Sequence, residues 1–142
     1  IEDGIAYEPY ESRLRRLDAS VKLLGVKSHD EVLKILPEFD IGLAMYKPYS
    51  NNLSQWADPS RVKDYLACGL PVIITDVPEI AKDIQNYNLG IVIKYTIQDL
   101  VDAVYLLCSK SEVFMKQREN AFKYIENYRW ERIFTSVFSA IR

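Results

Sequence analysis

Three polar side chains that could meet a ligand stand together near the middle of the chain. Ser60, Arg61 and Asp64 open a predicted helix that follows Asp58 and Pro59. The first turn of a helix presents free N–H groups and the positive end of the helix dipole, and a guanidinium matches the geometry of a phosphate. The pattern fits either a phosphate site at Ser60 and Arg61 or an ordinary capped helix that packs on a sheet.

The segment that carries these residues reads as one helix followed by one buried strand. Gly69 ends the helix, since glycine tolerates the left-handed conformation at a helix end. Pro71 then begins a short apolar, β-branched run at 72–74, which is typical of a strand buried on both faces. One face of the helix is apolar, and Arg61 and Asp64 lie off that face. Both side chains are therefore free to meet a ligand.

Short apolar runs alternate with amphipathic helices along the chain. Strands are predicted at 21–26, 40–45, 72–74 and 89–93, and helices at 10–17, 28–36, 59–69, 78–85, 96–107, 111–127 and 129–141. This order predicts an α/β fold, a Rossmann-like doubly wound parallel sheet with helices on both faces. Such sheets bind ligands beyond the carboxyl ends of their strands, where the long predicted loop at 46–58 lies.

Composition excludes several classes of function. The 142 residues suit one domain, and 18 basic against 20 acidic residues give a net charge of −2 without a basic block, so no nucleic-acid surface is expected. Cys68 and Cys108 are expected to be core thiols, and the single histidine, His29, a polar residue near a helix start; no metal site is expected. No signal peptide or membrane span is recognisable, so a cytoplasmic location is the default expectation.

Residues 61–73 resemble a signature of the donor-binding domain of GT-B glycosyltransferases. They read R-V-K-D-Y-L-A-C-G-L-P-V-I, and the signature in the retaining glycosyltransferase family 4 reads K-x-x-E-Y-L-A-x-G-x-P-V-I. The resemblance extends from about Val21 to Trp130, with further matches at 21–43, 88–92 and 129–131. The chain departs from the signature at Trp56, where the family usually has a second glutamate, eight positions before the acidic residue of this helix.

The resemblance implies a fold and a reaction. The chain is expected to be the C-terminal half of a GT-B fold, with residues 1–142 forming one nucleotide-sugar-binding domain. It is expected to be a fragment that lacks the N-terminal acceptor domain and the first strand. The full-length enzyme would transfer a hexosyl group from a nucleotide-sugar to a glycan or a lipid-linked acceptor, as in polysaccharide biosynthesis, without a metal or other cofactor. The fragment alone is expected to be inactive, because GT-B catalysis occurs between two domains.

The resemblance also implies roles for individual residues and partners. Asp64 would bind the ribose of the donor, and Arg61, with Ser60, would bind the diphosphate and act catalytically on its departure. The backbone of Val26 and Lys27 would meet the nucleobase. The implied partners are the nucleotide-sugar and the protein's own N-terminal domain, and the resemblance allows peripheral membrane association of the full-length enzyme.

Two other functions fit the predicted fold. A nucleotide-sugar 2-epimerase has the same architecture, but such enzymes usually need additional His, Arg and carboxylate side chains in the cleft. A receiver-type signalling domain is the non-enzymatic alternative, and Asp76 does end a predicted strand. A receiver also needs a pair of acidic residues after its first strand, which is not placed properly here.

Some residues near the predicted site have two interpretations. Lys63 is either a solvated charge or an ion-pair partner, and Tyr46 and Tyr49 either stack on a ligand ring or fold over the core. The last helix has a broad apolar stripe that either packs on the domain's own core or crosses to a partner domain. Its members are Trp130, Ile133, Phe134, Val137, Phe138 and Ile141.

Overall fold

The computed structural model describes residues 21–49 and 53–140 of the chain. Within them the helices are α1 (His29–Ile35), α2 (Ser60–Ala67), α3 (Ile80–Asn86), α4 (Ile97–Ser109), α5 (Ser111–Ile125) and α6 (Trp130–Ala140). The strands are β1 (Gly42–Ala44), β2 (Val72–Thr75) and β3 (Gly90–Ile93), and short 3₁₀ turns lie at Leu36–Glu38, Leu53–Trp56 and Glu126–Tyr128. The helix predicted at 10–17 lies outside the described residues.

The three strands form one parallel sheet in the order β1-β2-β3. Gly42 pairs with Val72, and Val72 pairs with Gly90, so β2 is the central strand. A Cβ added at Gly90 would lie 1.9 Å from the carbonyl oxygen of Val72, which leaves glycine as the residue that fits there. Every residue of β2 is buried, as its apolar, β-branched sequence predicts.

Helices cover both faces of the sheet, as predicted. On one face Val72 and Ile74 pack against residues of α2, α3 and α5, including Leu66 and Ile84. On the other face Ile73 packs against α4. Burial of each such aliphatic side chain stabilises the fold by about 1.5–3 kcal/mol. The predicted α/β class is confirmed, whereas the doubly wound order stays a prediction, because the described strands run in chain order without a reversal.

The strand predicted at 21–26 is wrong. The segment has no regular secondary structure, and its side chains, including those of Val21, Leu23 and Leu24, are exposed. A strand needs a neighbour to which its N–H and C=O groups can bond, and among the described residues no strand pairs with this segment. The apolar run therefore predicted a strand, although no described strand is available to form hydrogen bonds with it.

The helix ends follow the predicted local signals closely. Ser28 and Glu31 form the predicted capping box at the start of α1, and the hydroxyl of Thr96 accepts from the N–H of Asp99 at the start of α4. Gly69 has φ +73° just after α2, as expected for a residue that ends a helix. The helix predicted from Pro78 begins two residues later, at Ile80.

The apolar stripe of α6 lies in solvent rather than in the core of the described domain. Trp130 stacks on Phe134, and Phe134 on Phe138, with ring centroids 5.7 Å and 6.3 Å apart. These three side chains are 69%, 52% and 66% exposed.

The prediction of two core thiols is wrong for Cys108, which is exposed. Cys108 is next to the buried Leu107 on α4, so its side chain turns away from the sheet.

Candidate functional site

The candidate site lies at the carboxyl edge of the sheet. Met45 and Tyr46 follow β1 there, Asp76 follows β2, and α2 begins at the same edge. The guanidinium of Arg61 lies 5.7 Å from the ring centroid of Tyr46, so the start of α2 is beside the end of β1. This is the edge at which parallel α/β sheets bind their ligands.

Helix α2 is held in place by its apolar face. Val62 and Leu66 are fully buried against the sheet, and Tyr65 packs so closely over Gly42 that a Cβ there would meet its ring at 2.4 Å. Arg61 is exposed, and the side chain of Asp64 is 23% exposed. The predicted division of this helix into a buried face and a polar face is confirmed.

Arg61 rests on a tyrosine that the sheet holds firmly. The N–H of Tyr46 donates to the hydroxyl oxygen of Thr75, and that hydroxyl donates back to the carbonyl oxygen of Tyr46, each over 2.8 Å. Thr75 is the last residue of β2 and is only 1% exposed. Among the described residues Arg61 forms no ion pair, so its charge is not neutralised by a carboxylate there.

Asp64 faces the start of α1. Its Oδ2 lies 3.8 Å from Nδ1 of His29, and the contact is an ion pair when the imidazole is protonated. Lys27 lies two residues before His29, so this contact brings the 26–28 segment to the same side of the molecule as Asp64. The structure therefore connects Asp64 to α1 through His29, and Val26 and Lys27 lie three and two positions before that contact.

The remaining predicted site residues make less specific contacts. Val26 and Lys27 are exposed and follow Gly25, whose φ is +69°, but they do not follow a strand. Ser60 is exposed at the first position of α2, after Pro59 at the N-cap, and no side chain caps this helix. The N–H groups of its first turn are thus not occupied by a capping side chain among the described residues.

Lys63 is an ion-pair partner, one of its two predicted interpretations. Its ammonium binds the carboxylate of Asp58 and lies 4.6 Å from the ring centroid of Tyr128. An open groove of about 370 Å³ runs beside this pair, between residues 56–58, α3 and Tyr128. Lys63 therefore points away from Arg61, toward the surface formed by Asp58 and Tyr128.

Two tyrosines near these sites have raised pKa values. Burial raises the pKa of Tyr65, whose hydroxyl contacts the carbonyl oxygen of Leu43. Burial also raises the pKa of Tyr124, and its hydrogen bond to the carboxylate of Asp83 adds to the effect. Tyr124 and Tyr128 share a further hydrogen bond of 2.8 Å between their hydroxyls. Both phenols are neutral at physiological pH in any case, and their raised pKa values extend the neutral form to a higher pH.

His29, Tyr46 and Thr75 are the residues that sequence reasoning missed or placed incompletely. His29 was expected to be an ordinary polar residue, yet it contacts Asp64. Tyr46 packs on the core and at the same time supports Arg61, while Tyr49 is exposed. The threonine at the end of an otherwise aliphatic strand was the available signal, because a buried hydroxyl needs a hydrogen-bond partner.

Residues 21–49 and 53–140 contain no cluster of three or more His, Cys, Asp or Glu side chains that suits a metal ion. In the same part of the chain, no helix combines the length and the apolarity needed to cross a bilayer.

One comparison with known proteins gives a match. Residues 5–130 match the family model described as "Glucosyltransferase 3-like, C-terminal domain". No curated protein and no solved structure matches the chain. The matched range includes α1 to α5 and the candidate site.

Proposed function

The chain belongs to the glucosyltransferase 3-like, C-terminal domain family, and on that premise we propose that it is the donor-binding half of a GT-B glycosyltransferase. The family identifies it as a glycosyltransferase C-terminal domain. The proposal adds that it binds a nucleotide-sugar and that the enzyme transfers a hexosyl group to a glycan or a lipid-linked acceptor. The observation that carries it is the position of Arg61 and Asp64 on one helix at the carboxyl edge of the sheet.

Arg61 and the first turn of α2 would bind the diphosphate of the donor. The N–H groups of that turn and the helix dipole favour an anion, and Arg61 adds a charge that no described carboxylate neutralises. As the sugar leaves, negative charge grows on the diphosphate, and groups already aimed at it stabilise the transition state. Such a group typically contributes about 2.7–4 kcal/mol, and in the proposed reaction it takes this role without a metal ion.

Asp64 would accept hydrogen bonds from the ribose hydroxyls. Its carboxylate is partly buried and lies beside His29, which limits its rotation and keeps it at the edge of the site. The backbone of Val26 and Lys27, on the chain just before His29, would meet the nucleobase. Ser60 would contribute its N–H and hydroxyl to the phosphates.

Transfer of the sugar to the acceptor would also need a second domain. In GT-B enzymes the reaction takes place in a cleft between two domains, so the donor half by itself should bind the nucleotide without transferring the sugar. The exposed aromatic stripe of α6 fits the role of a surface that contacts the protein's own N-terminal domain. We propose that the enzyme acts in the cytoplasm.

A binding titration tests the proposal. The ¹⁵N-labelled chain is titrated with several nucleoside diphosphates at millimolar concentration, alongside Arg61→Ala and the matched control Arg132→Ala, which changes an exposed arginine of α6. We expect resonances near Arg61 and Asp64 to shift in the wild type and the control, and affinity to fall in Arg61→Ala. If no diphosphate shifts these resonances in the wild type, the proposed function is wrong.

A further inference from the structure

We propose that Tyr46 is the positioning residue for Arg61 and that its ring holds the guanidinium over the carboxyl edge of the sheet. The inference deepens the proposed function, since it names a residue that acts on the diphosphate through Arg61. The backbone, the ring and the hydroxyl of Tyr46 each have a different environment.

The backbone of Tyr46 is fixed to the neighbouring strand although β1 has already ended at Ala44. A regular ladder would bond backbone to backbone, but here the buried hydroxyl of Thr75 both accepts from the N–H and donates to the carbonyl oxygen of Tyr46. Two hydrogen bonds to one residue restrain its φ and ψ strongly. The Cα–Cβ direction of Tyr46 is therefore set by β2, the central strand of the sheet.

The ring of Tyr46 lies between the core and Arg61. It packs against the cluster of buried residues that includes Val62 and Leu66 on α2. The guanidinium carbon of Arg61 lies 5.7 Å from the ring centroid, within the range of a cation–π contact. A long arginine side chain loses much rotamer freedom when it binds an anion, and a supporting ring reduces that loss before the anion arrives.

The hydroxyl of Tyr46 takes no part in this arrangement. It is buried, and in the part of the chain that the structure describes it has no hydrogen-bond partner. A hydroxyl without a partner contributes no hydrogen bond to this arrangement, so the ring is the part of Tyr46 that acts on Arg61. Phenylalanine should then replace it without loss of function, whereas an aliphatic residue should not.

A double-mutant cycle tests the inference with inorganic pyrophosphate as the probe. The affinity is measured for Tyr46→Leu and Tyr46→Phe, each in the wild-type background and in Arg61→Ala. We expect Tyr46→Leu to weaken binding about two- to fivefold, the effect of one exposed cation–π contact, and Tyr46→Phe to change nothing. In Arg61→Ala the leucine variant should have no further effect, because the residue through which Tyr46 acts is gone.

An equal loss for Tyr46→Leu in both backgrounds would overturn the inference, since Tyr46 would then act through the fold alone. A second measurement needs no ligand: ¹⁵N relaxation of the Arg61 Nε–H group should show greater mobility in Tyr46→Leu and not in Tyr46→Phe. If neither pyrophosphate nor any nucleoside diphosphate binds the wild type but this mobility changes, the proposed function fails and the positioning role stands. Unchanged mobility in Tyr46→Leu would also overturn the inference.

Discussion

Replacing Thr75 by valine removes the two hydrogen bonds that fix the chain beyond β1. Valine is β-branched like threonine and has nearly the same shape, so the change removes the hydroxyl without opening a large cavity at this buried position. Thr75 makes two bonds of 2.8 Å to the backbone of Tyr46. Each neutral bond contributes about 0.5–1.5 kcal/mol net, so Thr75→Val should lower the free energy of unfolding by about 1–3 kcal/mol.

The assay is urea unfolding followed by circular dichroism, with Thr135→Val as the matched control. The hydroxyl of Thr135 bonds only to a carbonyl of its own helix and is exposed, so the control should stay within about 0.5 kcal/mol of the wild type. Thr75→Val should also weaken diphosphate binding, although it touches no ligand. Equal stability of the two variants would refute the reasoning, because the paired bonds would then contribute nothing.

Four further predictions follow from single residues. Gly90→Ala should prevent β2 and β3 from pairing and lower the free energy of unfolding in urea by more than about 3 kcal/mol. At Gly25 no atom lies within 4 Å of an added Cβ, so Gly25→Ala should lower it by only about 1–2 kcal/mol, the cost of its positive φ. Tyr124→Phe should lower the free energy of unfolding by about 1–3 kcal/mol, because the hydroxyl of Tyr124 bonds to Asp83 and Tyr128. A smaller decrease than that caused by Tyr87→Phe would contradict this prediction. Folding raises the pKa of Tyr124, so as the pH rises this phenol ionises first in the unfolded chain. The stability of the protein should therefore fall as the pH rises above about 10. Melting temperatures measured against pH should show a smaller fall in Tyr124→Phe. In the full-length enzyme, Asp64→Ala should raise the donor KM roughly ten- to a hundredfold and Arg61→Ala should slow turnover roughly thirty- to a thousandfold. Wild-type kinetics in both variants would leave α2 with a structural role only.

The parts of the fold that sequence predicted well depend on neighbouring residues. Helix α2 and strand β2 have local signals at both ends, with Gly69 between them at positive φ and Pro71 before the buried run. The cap at Thr96 is equally local, because it spans three residues. Such signals can be recognised in a sequence, since the interacting groups lie within one turn of each other.

The parts that sequence missed depend on contacts between distant residues. The hydroxyl of Thr75 and the backbone of Tyr46 are 29 positions apart, and no local pattern joins them. The contact of His29 with Asp64 connects two helices in the same way. The run at 21–26 shows the reverse error, because apolar residues were present but the partner strand that they require was not among the described residues.

A crystal structure of the protein with a nucleoside diphosphate tests the central claim most directly. We expect the diphosphate at the N-terminus of α2, within hydrogen-bond distance of Arg61 and the N–H groups of the first turn, with the ribose at Asp64. The nucleobase should lie against the backbone of Val26 and Lys27. A diphosphate bound elsewhere, for example in the groove beside Tyr128, with Arg61 left in solvent, would contradict the account.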